Sequence, residues 1–290
     1  NFEDIIDHNQ SEVSIKISNG KVLNGHFLIG ADGKGSSVRK KIFTNISKKP
    51  YLEPLSYNGY HIYRGFTPFI SPRYEKISFQ SWGNGIRFSC VNNIQNGSFW
   101  YATIKNNQPI VEGNGSQKVS HNSHRVSKSE KLVLLDKLSS WHSPVNELVQ
   151  NTEKIYVNNA IGFSYLPSTY LGRALLIGDA GYCLDPILAQ GIGLAFEDSN
   201  ELRTVFEELT VDDSNEVPGA IAWLGQKRRN RASQINQMSK FVNKISQLEG
   251  TSAKFRDTMM KNAGSFSTFV FDSAIRKVAN RGCSKNAGPH

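Results

Sequence analysis

Two short apolar runs, each stopped by glycine and aspartate, constrain this chain more than any other feature. HFLIG (26–30) ends in Gly30-Ala31-Asp32-Gly33, and RALLIG (173–178) ends in Gly178-Asp179. A short, nearly continuous apolar run bounded by turn residues is the pattern of a strand buried on both faces. A helix signal stands behind each. After the first, Ser36 and Arg39 lie three apart on the first turn of an expected helix. After the second come Pro186 and then Gln190-Gly191-Ile192-Gly193. From there Ile192, Ala195, Phe196, Ser199, Leu202, Phe206 and Leu209 recur at helical spacing, which predicts a helix over 192–209. Strand–turn–helix units of this kind make an α/β fold, and such folds bind ligands at the carboxyl edge of the sheet. A carboxylate there can accept hydrogen bonds from sugar-type hydroxyls. Glycines let the backbone come close to a ligand. The bare N–H groups of a helix start suit an anionic or electron-rich group. The competing reading is a pair of capped helices, with Asp32 as an N-cap. For the second segment that reading must explain an aspartate, a proline and two glycines together.

The rest of the chain reads as antiparallel sheet and helix. EVSIKI (12–17) alternates, and Ser18-Asn19-Gly20-Lys21 is a hairpin signal with Val22-Leu23 returning. Residues 56–105 read as a meander: ISFQSW (77–82), a turn at Gly83-Asn84-Gly85, IRFSCV (86–91), a turn at Asn96-Gly97, then SFWYATI (98–104). Residues 106–126 are rich in Asn, Ser and Gly and read as a surface loop. Ser127-Lys128-Ser129-Glu130 fits a capping box ahead of KLVLLDKLSSW. Ile221, Leu224, Ile235, Met238, Val242 and Ile245 predict a long second helix. After about residue 248 the pattern weakens, and RGCSKNAGPH reads as a frayed end.

Charge and cysteine usage narrow the function classes. The net charge is +9 over 290 residues, yet the one dense basic run, Lys227, Arg228, Arg229 and Arg231, has no interleaved aromatics. A solvated basic surface is therefore favoured over nucleic-acid binding. Cys90, Cys183 and Cys283 are three, widely spaced and without a CxxC. That argues against a disulfide framework or a metal site and for a reducing, cytoplasmic setting. No apolar run approaches the ~20 residues of a membrane span, and the first residues carry no secretory signal.

GADGKGSSVR and GDAGYCLDPILAQGIGLAFED, with a sheet between them and WHSPVNELV ahead of the second, resemble the two FAD-contacting segments of the para-hydroxybenzoate hydroxylase-like FAD-dependent aromatic hydroxylases. The resemblance covers roughly residues 12–245. It implies a Rossmann-like, glutathione-reductase-type FAD domain, incomplete here, interleaved with an antiparallel substrate domain and followed by C-terminal helices. The expected boundaries are 1–49 and 166–212 for the FAD domain, 50–165 for the substrate domain and 213–290 for the helical region. By position, Asp179 would bind ribityl hydroxyls. Gly178, Gln190, Gly191, Ile192 and Gly193 would approach the flavin, and Pro186 would face its ring. Gly30, Ala31, Asp32, Gly33, Ser36 and Arg39 would touch FAD and the region visited by NAD(P)H. The implied activity is hydroxylation or epoxidation of an aromatic or polyene small molecule through a flavin hydroperoxide, with NAD(P)H as co-substrate. Tyr60, Tyr63, Trp82, Arg87 and Trp100 are the substrate-side candidates, each with a structural role as the stronger reading. His61 is not assigned as a base.

Three departures stand out. Ala180-Gly181-Tyr182 replaces the family's frequent Ala-His, and Ala189 precedes Gln190 where the family has glycine. No GxGxxG, the pyrophosphate-holding fingerprint, occurs in the chain. The expectation is therefore a family member without its N-terminal segment. A reductase or halogenase on the same scaffold, or a binding protein that has lost FAD, are the alternatives. FWYATI (99–104) lacks the second Trp and the Pro of the halogenase W.W.IP pattern, which weakens that option.

Overall fold

The computed structural model describes residues 1–8, 11–47, 51, 54–74, 77–94, 96–113, 118–165, 167–209 and 214–262. In chain order the elements are β1 (Phe2–His8), β2 (Val13–Ile17), β3 (Val22–Gly25), β4 (Leu28–Gly30), α1 (Ser37–Ser47), β5 (Leu55–Thr67), β6 (Phe79–Trp82), β7 (Ile86–Ile94) and β8 (Gly97–Lys105). There follow β9 (His124–Arg125), α2 (Lys128–Lys137), α3 (Val145–Gln150), β10 (Ile155–Phe163), β11 (Tyr170–Leu171), β12 (Ala174–Leu176), α4 (Asp179–Tyr182), α5 (Gly191–Glu208) and α6 (Val217–Ser246). A last helical stretch covers 250–262. The chain divides into two compact units: Asn1–Ser56 with Ile161–Lys240, and Tyr57–Ala160 with the described residues from Phe241 on.

In the first unit, two three-stranded sheets run in the orders β1-β2-β3 and β11-β12-β4. The Asn-Gly hairpin forms, with Gly20 at a φ of 79° that suits glycine, and Ser14 pairs with Asn24 across it. β1 extends this sheet, which the charged sequence FEDIIDH did not suggest. Its Ile5 enters a core with Val13, Val38, Ile42, Ala174 and Leu176, and Phe2 packs against the same cluster. β4 is shorter than the HFLIG run: it starts at Leu28, and Phe27 instead stacks on Phe206 of α5 at 4.1 Å. α5 and α6 form as their spacing predicts, and Leu194 of α5 packs with Ala232 and Ile235 of α6.

In the second unit, the predicted meander forms a six-stranded sheet in the order β6-β7-β8-β5-β10-β9. Alternate residues of β7 and β8 (Phe88 and Cys90, Trp100 and Ala102) point to one face. There they meet Leu134 and Leu138 after the capping box and Val145, Leu148 and Val149 of α3. Ser127 Oγ accepts from the Glu130 N–H at 3.2 Å, and Glu130 accepts from the Ser127 N–H at 2.7 Å, so both arms of the box are present. The expected loop 106–126 also carries β9 and an isolated bridge between Val111 and Val119. The stretch RGCSKNAGPH lies outside the described residues.

Candidate functional site

β4 and β12 are adjacent and parallel, with Leu176 opposite Gly30. The two glycine–aspartate segments, about 150 residues apart in the chain, therefore leave the same end of neighbouring strands. The Ile177 N–H donates to the Gly30 carbonyl at 3.0 Å and ties them together. Gly30 has no room for a side chain. A Cβ there would lie 2.6 Å from Leu176 Cδ2 and 2.9 Å from Val38 Cγ1, so α1 packs directly on the strand pair.

In the first segment, Asp32 serves the helix. Its Oδ1 accepts from Ser36 Oγ at 2.5 Å, and its Oδ2 accepts from the N–H groups of Ser37 at 2.8 Å and Val38 at 3.3 Å. The capped-helix role weighed from sequence is thus present at Asp32. Ser36 is buried and accepts from the Arg39 N–H at 2.9 Å. Ala31 is exposed, and Gly33 takes a φ of 77° with open space where a Cβ would be. Arg39 is fully buried. Its Nη1 donates to the Ala180 carbonyl at 3.0 Å, its Nη2 to the Lys34 carbonyl at 2.5 Å and its Nε to Tyr51 Oη at 2.8 Å. Its guanidinium also lies 4.8 Å from the centre of the Phe163 ring. Arg39 is therefore the clamp between the two segments.

In the second segment, Gly178 adopts φ 56°, ψ −144°, a region nearly closed to other residues, and precedes α4. Asp179, the first residue of α4, is exposed. The surrounding protein still desolvates its carboxyl and raises it above the usual carboxylate value, while Lys34 and Arg39 pull it down. A Cβ on Gly191 would lie 3.6 Å from Asp179 Oδ1, so the carboxylate stands beside the start of α5. That helix has no side-chain cap. The Gln190 side chain turns back to the Leu188 carbonyl at 3.3 Å. Gly193 has nothing nearer its missing Cβ than Gln190 Oε1 at 3.9 Å, and Ile192 is 75% exposed. Pro186 is exposed and opens a short helical turn capped by Asp185. The structure thus brings together Asp179 and the glycine-opened, uncapped start of α5, with Arg39 bonded to the Ala180 carbonyl next to Asp179.

One support was not assigned from sequence. Asp198 is buried, accepts from the Gly178 N–H at 2.8 Å, receives the Tyr182 hydroxyl, and pairs with Arg228 Nε at 2.6 Å. Arg228 and Arg231 both also reach Glu197, at 2.9 Å and 2.8 Å. Burial raises the Asp198 carboxyl against the pull of Arg228. Burial also pushes Glu197 up, but its bonds to Arg231 and Arg228 outweigh that and leave it lowered. The readable signal was the stripe Leu224, Arg228, Arg231 and Ile235, which puts both arginines on the buried face of α6. Lys227 pairs with Glu201 at 2.6 Å, and Arg229 donates to the Pro167 carbonyl at 3.0 Å. The basic run that read as a solvated surface is thus largely engaged within its own unit.

The substrate-side candidates divide between the two faces of the six-stranded sheet. Trp100 is fully buried in the core facing α2 and α3, with its indole N–H on Thr152 Oγ1 at 2.8 Å. Tyr63 packs against that core, and Tyr60 is fully buried. Trp82 stands directly across from Arg87. Arg87 is buried and donates to Gln80 Oε1 and Tyr101 Oη at 3.2 Å each. His61 Nε2 donates to the Gln108 carbonyl, 3.1 Å away, and burial lowers its pKa. Among the described residues no cluster of His, Cys, Asp and Glu is arranged to hold a metal ion. No described helix is long and apolar enough to cross a membrane.

Paired parallel strands with these loops, and a large antiparallel sheet beside helices, make the fold of the FAD-dependent aromatic hydroxylases. Solved structures bear this out. The chain superposes on a salicylate hydroxylase substrate complex with a TM-score of 0.73 at 14% identity, covering 99% of this chain and 71% of that one. It superposes on HpxO of Klebsiella pneumoniae, solved with FAD and uric acid, with a TM-score of 0.70 at 18% identity, covering 97% and 66%. No family model matches the chain. By sequence it is similar to the aurachin C monooxygenase/isomerase of Stigmatella aurantiaca, at 27% identity over 250 residues. It is also similar to the chloroplastic zeaxanthin epoxidase of an Oncidium hybrid cultivar, at 26% over 247 residues. The matches cover 85% and 82% of this chain but only 58% and 34% of those proteins. The resemblance read from the two glycine–aspartate segments therefore holds.

Proposed function

We propose that the chain belongs to an FAD-dependent monooxygenase acting on an aromatic or polyene small molecule, with NAD(P)H as reductant. The observation that carries this reading is the meeting of Asp179 with the uncapped, glycine-opened start of α5, at the end of two parallel strands. The donor set fits a flavin. Asp179 offers an exposed carboxylate for ribityl hydroxyls, and the Gly191, Ile192 and Gly193 amides offer donors to an electron-rich ring edge. Open space at Gly33 and Gly193 leaves the backbone approachable. Bound there, a flavin would supply the two-electron chemistry and the reaction with oxygen.

The residues of this chain hold and orient. Asp198 fixes the Gly178 amide and so the direction in which Asp179 leaves β12. Arg39 keeps the two segments in register through the Ala180 and Lys34 carbonyls. Asp32 gives α1 its start. The pyrophosphate fingerprint is not among these 290 residues.

The test is turnover. The chain joined to a GxGxxG-bearing strand–helix–strand unit and loaded with FAD should oxidise NADH or NADPH faster when an aromatic substrate is added, with matching oxygen uptake. Flavin retained without any NAD(P)H oxidation would favour the binding-protein alternative.

A further inference from the structure

The second unit carries a cavity that none of the flavin segments touches. It has a volume of about 440 Å³ and is lined by Arg64, Phe66, Phe99, Glu153, Lys154 and Tyr156 with Gly65 and Pro68, within the ~300–1,000 Å³ range of small-molecule sites. The floor follows from register. Phe66 of β5 lies directly opposite Phe99 of β8, and Arg64 is two residues before Phe66, so all three share a face. A Cβ on the intervening Gly65 would meet Thr152 and the Trp100 ring, so that residue points to the core side and its neighbours point away from it. Tyr156 of β10 adds a third ring, and Arg125 lies directly across from it on β9.

Two of the three rings are open to solvent: Phe66 is 43% and Tyr156 40% exposed. The charge around them is unbalanced. Arg64, Lys154 and Arg125 are cations, and Glu153 is the one acid in the lining. One N–H of Arg64 goes to Ser123 Oγ at 2.6 Å, and among the described residues no acid is paired with its guanidinium. We propose that this cavity binds a flat aromatic carboxylate, its ring lying on Phe66 and Tyr156 and its charge toward Arg64 and Lys154. The aromatic floor supplies contact area, and the cations select the anion over a neutral isostere. The site uses no residue of the two flavin segments and does not depend on flavin binding.

The experiment titrates the full chain with 2-naphthoate, 2-naphthamide and 2-naphthylmethylammonium, by calorimetry and saturation-transfer NMR. The expected result is naphthoate binding at least about tenfold tighter than the amide, a difference of about 1.4 kcal/mol, with the ammonium weakest. Phe66→Ala should abolish binding, Lys154→Ala should weaken it about three- to tenfold, and Glu153→Gln should tighten it. All three positions are exposed, and an unchanged thermal transition in each variant separates lost binding from lost folding. Equal binding of amide and carboxylate, binding that survives Phe66→Ala, or no binding of naphthoate at all would each overturn the proposal.

Discussion

Replacing Gly178 with alanine tests how tightly the second segment is held. Its φ of 56° with ψ −144° is strained for any residue with a side chain, although the new Cβ would meet nothing nearer than Ala195 Cβ at 3.5 Å. The cost is therefore conformational, about 1–3 kcal/mol, and should appear as a lower urea midpoint with an unchanged slope. A midpoint within error of the parent would mean that Gly178 does not hold this backbone. Residue types at this scale were partly legible. GADG and GDAG announced special backbone, and Asp179 was singled out. Asp198 escaped assignment because its role depends on Arg228, thirty positions on in another helix, and their pairing appears only when α5 and α6 are packed together.

At the scale of elements, α5 and α6 are joined by the Glu197, Asp198, Arg228 and Arg231 network as well as by Leu194, Ala232 and Ile235. Glu197 has its carboxyl lowered in the folded state. Its stabilising contribution is therefore complete above the unfolded value near 4.5 and is lost as pH falls through the folded value. Glu197→Gln should cost about 2 kcal/mol at pH 7, and the gap between variant and parent should close as the pH falls below ~4. Asp198 acts in the opposite sense, since its carboxyl is raised and its burial in charged form costs stability as pH rises through that window. Because Asp198 shares Arg228 with Glu197, the double variant Glu197→Gln with Asp198→Asn separates the two contributions. A gap that stays constant down to pH 3 would remove Glu197 from the account. The long helices and the meander were readable because their periods run for many residues. β1 was not, because Glu3, Asp4 and Asp7 break up the apolar pattern of a strand whose Ile5 is buried and whose Phe2 packs beside it. The inward arginines were misread because a basic run looks like surface until it is laid on the helix beside Leu224 and Ile235.

At the scale of the whole molecule, the fold was legible because two strand ends, far apart in sequence, carry the same glycine–aspartate punctuation. What was not legible is what the antiparallel sheet contacts. Its aromatic residues alternate between a core against α2 and α3 and the opposite face, and that split appears only once the register is known. The central claim is that Asp179 and the start of α5 hold a flavin. The most direct measurement is FAD retained after desalting by the chain joined to a GxGxxG-bearing unit, compared with the same protein carrying Asp179→Ala. The account predicts near-stoichiometric flavin in the parent and affinity lowered about tenfold or more in the variant, whose lost charge-assisted hydrogen bonds are worth ~1.5–3 kcal/mol. Equal retention by the two, or none by either, would contradict it.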